Sequence, residues 1–357
     1  MGDIILKKFL KYILVLLGVL ALAFGLYVLF MVITDYKPKE MISITVENDK
    51  SEIINKNETL SILTYNIGYS GMDEGRDFFM DGGSDSRSES KDKTLENLKG
   101  MEEFIKESKA SFIFLQEVDL NATRSYHINQ YDYLKNSLSD YSSSLAINYK
   151  SPWVPVPILK PHGKVEGGLV TLSKFKIESS NRYVLAGTEN WFRQLADLDR
   201  CFLESRIVVE GGKELILVNL HLSAYDKGGL VRKEQLGYLK KYISAEYDKG
   251  NYLVVGGDWN HLIPGTDPTL FKTTEVWPEW LQKIPEDFKP EGFEWVADKA
   301  VPTSRTVATS YVTDENFLSV IDGFLVSPNV EMKNVKGYPL KFKYTDHNPV
   351  KMEVKLK

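Results

Sequence analysis

The sequence predicts an α+β domain held behind one membrane-spanning helix, and three observations carry that prediction. Residues 12–33 form an uncharged apolar run. Strand-length apolar runs recur from Leu60 to the C-terminus, and only two segments among them show helical spacing. The composition suits a large globular domain: 357 residues, 43% hydrophobic, 26% charged, with 19 Tyr and 6 Trp to build a core. That excludes a collagen, a disulfide scaffold and a disordered chain. The single cysteine, Cys201, rules out intrachain disulfides and four-cysteine zinc sites, and its apolar setting reads as a buried thiol. A net charge of −5 supplies no global basic field to draw in nucleic acid.

The elements follow in chain order. Residues 1–11 are a basic cytoplasmic N-terminus, and 12–33 (YILVLLGVLALAFGLYVLFMVI) are the transmembrane anchor. Its 22 residues would span roughly 33 Å, close to the ~30 Å hydrocarbon core. Lys7, Lys8 and Lys11 precede the span, whereas Asp35, Lys37, Lys39 and Glu40 roughly cancel behind it. The positive-inside rule therefore keeps the N-terminus in the cytoplasm and exports the rest. A cleaved signal peptide is the competing reading, but its apolar region is shorter and ends in small residues, unlike Phe30-Met31-Val32-Ile33.

Residues 34–59 are polar and read as a stalk, leaving 60–357 as one large folded domain. Strands are expected at 60–66, 112–118, 168–173, 214–222, 252–258, 320–326 and 350–356. Helical spacing appears at Leu95, Leu98, Met101 and Ile105, and again at Leu236, Leu239 and Ile243. Residues 71–93, rich in Gly, Ser and Asp, read as a mobile loop. The proline-rich 151–163 (SPWVPVPILKPHG) cannot be an interior strand or helix.

Several apolar runs end in a polar residue able to do chemistry. These are Asn66, Glu117, Asn219 with His221, and Asp258 with Asn260; Asp322 and the pair Asp346-His347 follow near the C-terminus. Strand residues i and i+2 share a face, so Asn219/His221 and Asp258/Asn260 are expected as same-side pairs. Each residue alone is more often a turn, cap or packing group. Together, at successive strand ends, they are hard to assign to chance.

In that order the segments LTYNIG, LQEVD, NLHLSAYD, GGDWN, VIDGFLVS and TDHNPV resemble the endonuclease/exonuclease/phosphatase superfamily. Apurinic endonucleases, pancreatic-type deoxyribonucleases, inositol-polyphosphate phosphatases and neutral sphingomyelinases are among its members. The resemblance covers everything from Leu60 onward. It implies a four-layer α/β/β/α sandwich of two mixed β-sheets and a metal-dependent phosphoesterase. Asn66, Glu117 and Asp346 fall where the family holds magnesium, with Mn²⁺ or another divalent ion as substitutes; hard oxygen donors suit such ions. Asp258 matches the group that activates water, Asn260 a phosphate contact, and His347 the histidine on the scissile phosphate, oriented by Asp322. His221 matches a phosphate contact or proton donor. Asn219 and Arg124 are expected substrate contacts, Arg124 being equally readable as structural.

His261 reads as a packing residue, and His127 and His162 as surface histidines. The resulting expectation is an anchored, divalent-metal-dependent phosphoesterase acting outside the cytoplasm on a phosphodiester or phosphomonoester, with a phospholipid headgroup as one substrate. Trp153, Val154, Val156, Ile158 and Leu159, and Trp277 and Trp280, are candidate headgroup contacts, each also readable as packing beneath a loop. An anchored extracellular nuclease is the alternative, which the overall acidity disfavours. A non-catalytic binding module is the third, and the intact set of polar residues argues against it.

Overall fold

The computed structural model describes residues 2–187, 191–224 and 228–357. Two sheets pack face to face. The first runs β1 (Met41–Ile44), β6 (Ile177–Val184), β7 (Cys201–Val208), β8 (Glu214–His221), β9 (Tyr252–Asp258), β11 (Asp322–Val326), β10 (Glu294–Val296). The second runs β12 (Val330–Gly337), β13 (Val350–Leu356), β2 (Leu60–Asn66), β3 (Phe112–Asp119), β5 (Gly163–Ser173), β4 (Ser142–Val154). Both are mixed: β2 and β3 are parallel in one, β8 and β9 in the other. A parallel pair delivers two C-terminal strand ends to the same edge of its sheet. Those two pairs carry the apolar runs that end in Asn66, Glu117, His221 and Asp258.

Between the sheets lies a dry layer that includes Ile62, Phe112, Phe114, Leu215, Leu217, Val254, Phe324 and Met352. Helix α2 (Lys91–Ser108) buries Leu98, Met101 and Ile105 on the outer face of the second sheet, joined by Tyr131 and Leu134 of α3 (Gln130–Ser137). Helix α5 (Leu230–Asp248) covers the first sheet with Leu236, Leu239 and Ile243. Each such side chain contributes about 1.5–3 kcal/mol by burial. Ser90 caps α2 by accepting the Lys93 N–H at 3.1 Å. The architecture is the expected four-layer sandwich.

Helix α1 (Gly2–Thr34) stands largely clear of the domain and is long and apolar enough to cross a membrane. Its last turns touch the domain: Met31 is buried, and the Tyr27 hydroxyl donates to the Trp153 carbonyl at 3.2 Å. A one-turn helix, α4 (Trp191–Gln194), lies nearby, with the Phe192 ring 6.1 Å from Phe24.

Three expectations need correction. Residues 34–59 are not a free stalk, because β1 pairs with β6 and Ile54 is fully buried in the inter-sheet core. Residues 71–93 are packed in place, with Ser86 and Ser88 buried and the start of α2 included. As expected, the proline-rich segment puts no proline in an interior strand: it supplies the end of β4, an edge strand where Pro152 is tolerated, and only Gly163 to the start of β5. His162 is buried, not superficial. His127 is exposed and Cys201 buried, as expected. Residues 225 and 226 of the NLHLSAYD segment lie outside the described residues.

Candidate active site

Strand register assembles one half of the site. His221 pairs across from Asp258, and Asp258 from Asp322, so three polar residues line up along the edge of the first sheet. The second sheet supplies Asn66, whose register partner is Gln116. Glu117 follows in a β-bulge between Leu115 and Val118, at φ 55°. Such a left-handed residue in a strand costs on the order of 1–3 kcal/mol, and here it turns the carboxylate to the same side as Asn66. His347 enters from the segment before β13 and closes the gap between the sheets.

The groups converge on Asp258. Its Oδ2 receives the Asn66 amide N–H at 3.0 Å and lies 3.4 Å from His221 Nε2 and 3.7 Å from His347 Nε2. Its Oδ1 accepts the Asn260 backbone N–H at 2.9 Å. Asn260 sits at φ 48° and donates its side-chain amide to the Leu222 carbonyl at 2.8 Å. Burial, reinforced by the charge of Asp322, pushes the Asp258 carboxyl up to about 7. His347 shows the opposite balance. Burial alone would pull its imidazole down, but Asp322 and Asp258 overcome that and push it up to about 10. For His221 the balance falls the other way: burial and the charges of Arg200 and His347 hold it well below the usual histidine range, although Asp258 is in contact. Among the described residues its Nδ1 has no hydrogen-bond partner.

Asn66, Glu117 and Asp346 form the adjoining corner. The Asn66 amide bridges Glu117 at 3.2 Å to Asp258, and Asp346 lines the same cleft. Burial raises the Glu117 carboxyl, Arg124 opposes that, and the Asp346 charge adds to it. Arg124 gives both of its short contacts to Asp119, at 2.9 and 3.1 Å, and stands 3.6 Å from Glu117. The corner is thus rich in half-buried carboxylate oxygen, and Arg124 gives its short contacts to Asp119 instead, leaving a donor set that fits a hard divalent cation. Asp258, Asp322 and His347 also bring ligand atoms within 4.8 Å of one another. There, however, His347 Nδ1 is committed to Asp322, so that trio reads as a hydrogen-bonded pair beside a base.

Nine of the ten residues expected at the site meet around this cleft. Asn219 does not enter it. The i, i+2 rule gives the correct face, but Asn219 lies one layer deeper: its amide donates to the Leu115 and Val170 carbonyls and accepts from Gln116 Nε2 at 2.7 Å. It ties the two sheets together beneath the site. His261 also packs, its Nδ1 2.6 Å from the Trp259 carbonyl. Arg200 was not foreseen. Its guanidinium lines the cleft and lies 3.4 Å from the His221 carbonyl. The only sequence signal was a charged residue immediately before the apolar start of β7.

The comparisons agree with this architecture. The profile described as "Endonuclease/Exonuclease/phosphatase family" matches residues 63–347. No curated protein matches the chain significantly. Among solved structures, an endonuclease/exonuclease/phosphatase from Beutenbergia cavernae DSM 12333 has a TM-score of 0.59 at 17% identity, covering 84% of this chain and 72% of that one. TDP2 from D. rerio, complexed with single strand DNA product, has a TM-score of 0.53 at 16% identity, covering 84% and 100%. The human Nocturnin catalytic domain with bound sulfate anion has 0.52 at 14%, covering 88% and 97%. At these identities the likenesses establish the fold. The family profile runs through the segments that hold Asn66, Glu117, Asp258, Asp322 and His347, and by that match the chain belongs to the endonuclease/exonuclease/phosphatase family.

Proposed function

We propose that the chain is a membrane-anchored, divalent-metal-dependent phosphoester hydrolase whose catalytic domain lies outside the cytoplasm. The observation that carries this reading is the surrounding of one buried carboxylate, Asp258, by two imidazoles and an amide, beside a separate oxygen-rich corner. Asn66, Glu117 and Asp346 would hold the ion, Mg²⁺ by the hardness of the donors. When bound, the ion supplies positive charge that offsets the negative phosphate and its leaving oxygen.

The chain's own residues account for the other roles. Asp258, with its carboxyl raised towards neutrality, accepts a proton from water and aims it in line at phosphorus. Asn260 fixes the Asp258 carboxylate through its backbone N–H and holds a phosphate oxygen at the rim. His347 remains protonated beside Asp322 and donates to the charge that develops on phosphate. His221 stays neutral, which suits a proton carrier to or from the leaving group. Arg124 and Arg200 add positive potential to the cleft wall. A nucleic-acid substrate has the weaker support, because the chain is acidic overall.

The test is hydrolysis by the purified full chain, with Mg²⁺ and with chelator, across phospholipid, nucleic-acid and sugar-phosphate esters. Asp258→Asn should lower kcat by about 10²–10⁴-fold on the best of them. A well-folded Asp258→Asn variant that stays within about threefold of wild type would sink the reading.

A further inference from the structure

The cavity that holds the catalytic groups is two-faced. It encloses about 920 Å³. One end is lined by Glu117, Asp258, His221 and His347, and the other by Phe24, Val28 and Met31 of α1 together with Val154 and Phe192. The membrane helix is therefore a wall of the active site and not merely a tether. Beside the mouth stand bare apolar side chains: Leu159 is 99% exposed and Ile158 87%, with Trp191 at 68% and Trp153 at 40%.

The loop bearing Ile158 and Leu159 is firmly held at its base. The His162 N–H closes it on the Val156 carbonyl at 2.8 Å, and Arg87 Nε donates to the Pro161 carbonyl at 2.7 Å. The His162 ring bonds the Ser86 carbonyl at 2.6 Å and packs edge-on to Tyr69. A fixed loop with a bare apolar tip needs an apolar partner. Its position identifies that partner, because Tyr27 of α1 is bonded to Trp153 at the start of the same loop. From Lys11, the last charge before the apolar run, to Tyr27 the helix rises about 24 Å, most of the way across a ~30 Å hydrocarbon core. Tyr27 and Trp153, in contact, with Trp191 beside Phe192 near Phe24, then form an aromatic group towards the outer side of the core, where interfacial aromatics collect.

We propose that the mouth of the catalytic cavity docks on the lipid bilayer through Ile158 and Leu159, and that the substrate is a membrane amphiphile. Its phosphoester reaches Asp258 while its apolar part runs along Phe24, Val28 and Met31. This rests on the hydrolase reading above and adds the surface and the substrate class to it.

The test uses the full chain in phosphatidylcholine/phosphatidylglycerol vesicles. An environment-sensitive fluorophore on Leu159→Cys, with Cys201 buried and unreactive, should shift to the blue and be quenched by brominated lipid. Ile158→Glu/Leu159→Glu should lower hydrolysis of vesicle phospholipid by about tenfold or more, through loss of interfacial burial, and leave bis(4-nitrophenyl) phosphate hydrolysis within about twofold. A water-like, unquenched fluorophore overturns the docking. Equal loss on both esters, or no loss on the lipid, overturns the amphiphile assignment. If wild type cleaves neither ester, the hydrolase reading fails, and the fluorophore still decides the docking.

Discussion

His347 Nδ1 lies 2.8 Å from Asp322 Oδ2, and this bond joins the two sheets at the catalytic edge. Asp322 opens β11 in the first sheet, whereas His347 belongs to the segment entering β13 of the second. The bond fixes the ring so that Nε2 faces Asp258. Asp322→Asn preserves the shape and removes the charge that keeps the imidazole protonated. We expect kcat to fall by about 10²–10⁴-fold with KM within about threefold, as for a group acting on the transition state. An equal rise in KM would instead assign Asp322 to substrate binding.

Glu117 tests the oxygen-rich corner. Glu117→Ala removes a half-buried carboxylate held at positive φ, so the fold should survive while the Mg²⁺ concentration for half-maximal activity rises about tenfold or more. Isothermal titration with Mg²⁺ gives a readout independent of turnover. Unchanged binding heats would remove Glu117 from the ion's ligands.

Asn219 separates a fold residue from a site residue. Asn219→Ala strands two buried carbonyls and the Gln116 amide, which should destabilise the domain by about 3 kcal/mol or more in chemical denaturation. The folded fraction should keep a wild-type KM. A raised KM with unchanged stability would return Asn219 to the substrate contacts.

Legibility follows from how far the local pattern decides the environment. The bounds of β2, β9 and β13 coincide with the runs 60–66, 252–258 and 350–356, because β2 and β9, each in a parallel pair, are buried on nearly all positions of both faces, and β13 alternates buried apolar residues with Lys351, Glu353 and Lys355. Asn66 and Asp258 stand out for the same reason, as polar ends of such runs. β7 escaped notice although it lies inside its sheet. Its Glu204 and Arg206 look like a solvated segment, yet Arg206 is clamped by Glu204, Glu214 and Glu246. β1 was hidden because four residues hydrogen-bonded to an edge leave little apolar signal. The depth of Asn219 is set by the second sheet, which no spacing within β8 encodes.

Topology rests on Lys7, Lys8 and Lys11, which lie in the first turns of α1 ahead of its apolar run. A tag at the C-terminus should be cut by protease added to intact cells, and one at the N-terminus should be protected. Protection of the C-terminal tag would put the domain in the cytoplasm and remove the outer leaflet from consideration as its substrate surface.

His162 makes the stability of the domain depend on pH in a stated direction. Its ring is 3% exposed, wedged among Tyr69, Phe78 and Phe79, with Nδ1 on the Ser86 carbonyl. Burial, then the nearby positive charge of Arg124, pulls the imidazole down to about 3. In the unfolded chain the same ring titrates near its ordinary value of about 6.5. Between those two values the unfolded state binds the extra proton, so stability rises with pH there. The contribution is fully present above about 6.5 and is lost progressively as pH falls towards 3. At pH 5 the loss should be about 2 kcal/mol. Buried carboxyls raised in the native state, such as Asp258, act in the opposite sense, so the test is a difference between proteins. His162→Gln keeps a donor for Ser86 but cannot titrate. Chemical denaturation in mild detergent at pH 7 and pH 5 should show wild type losing about 2 kcal/mol more than His162→Gln. Parallel losses in the two proteins would mean that the ring is protonated, or exposed, in the folded state.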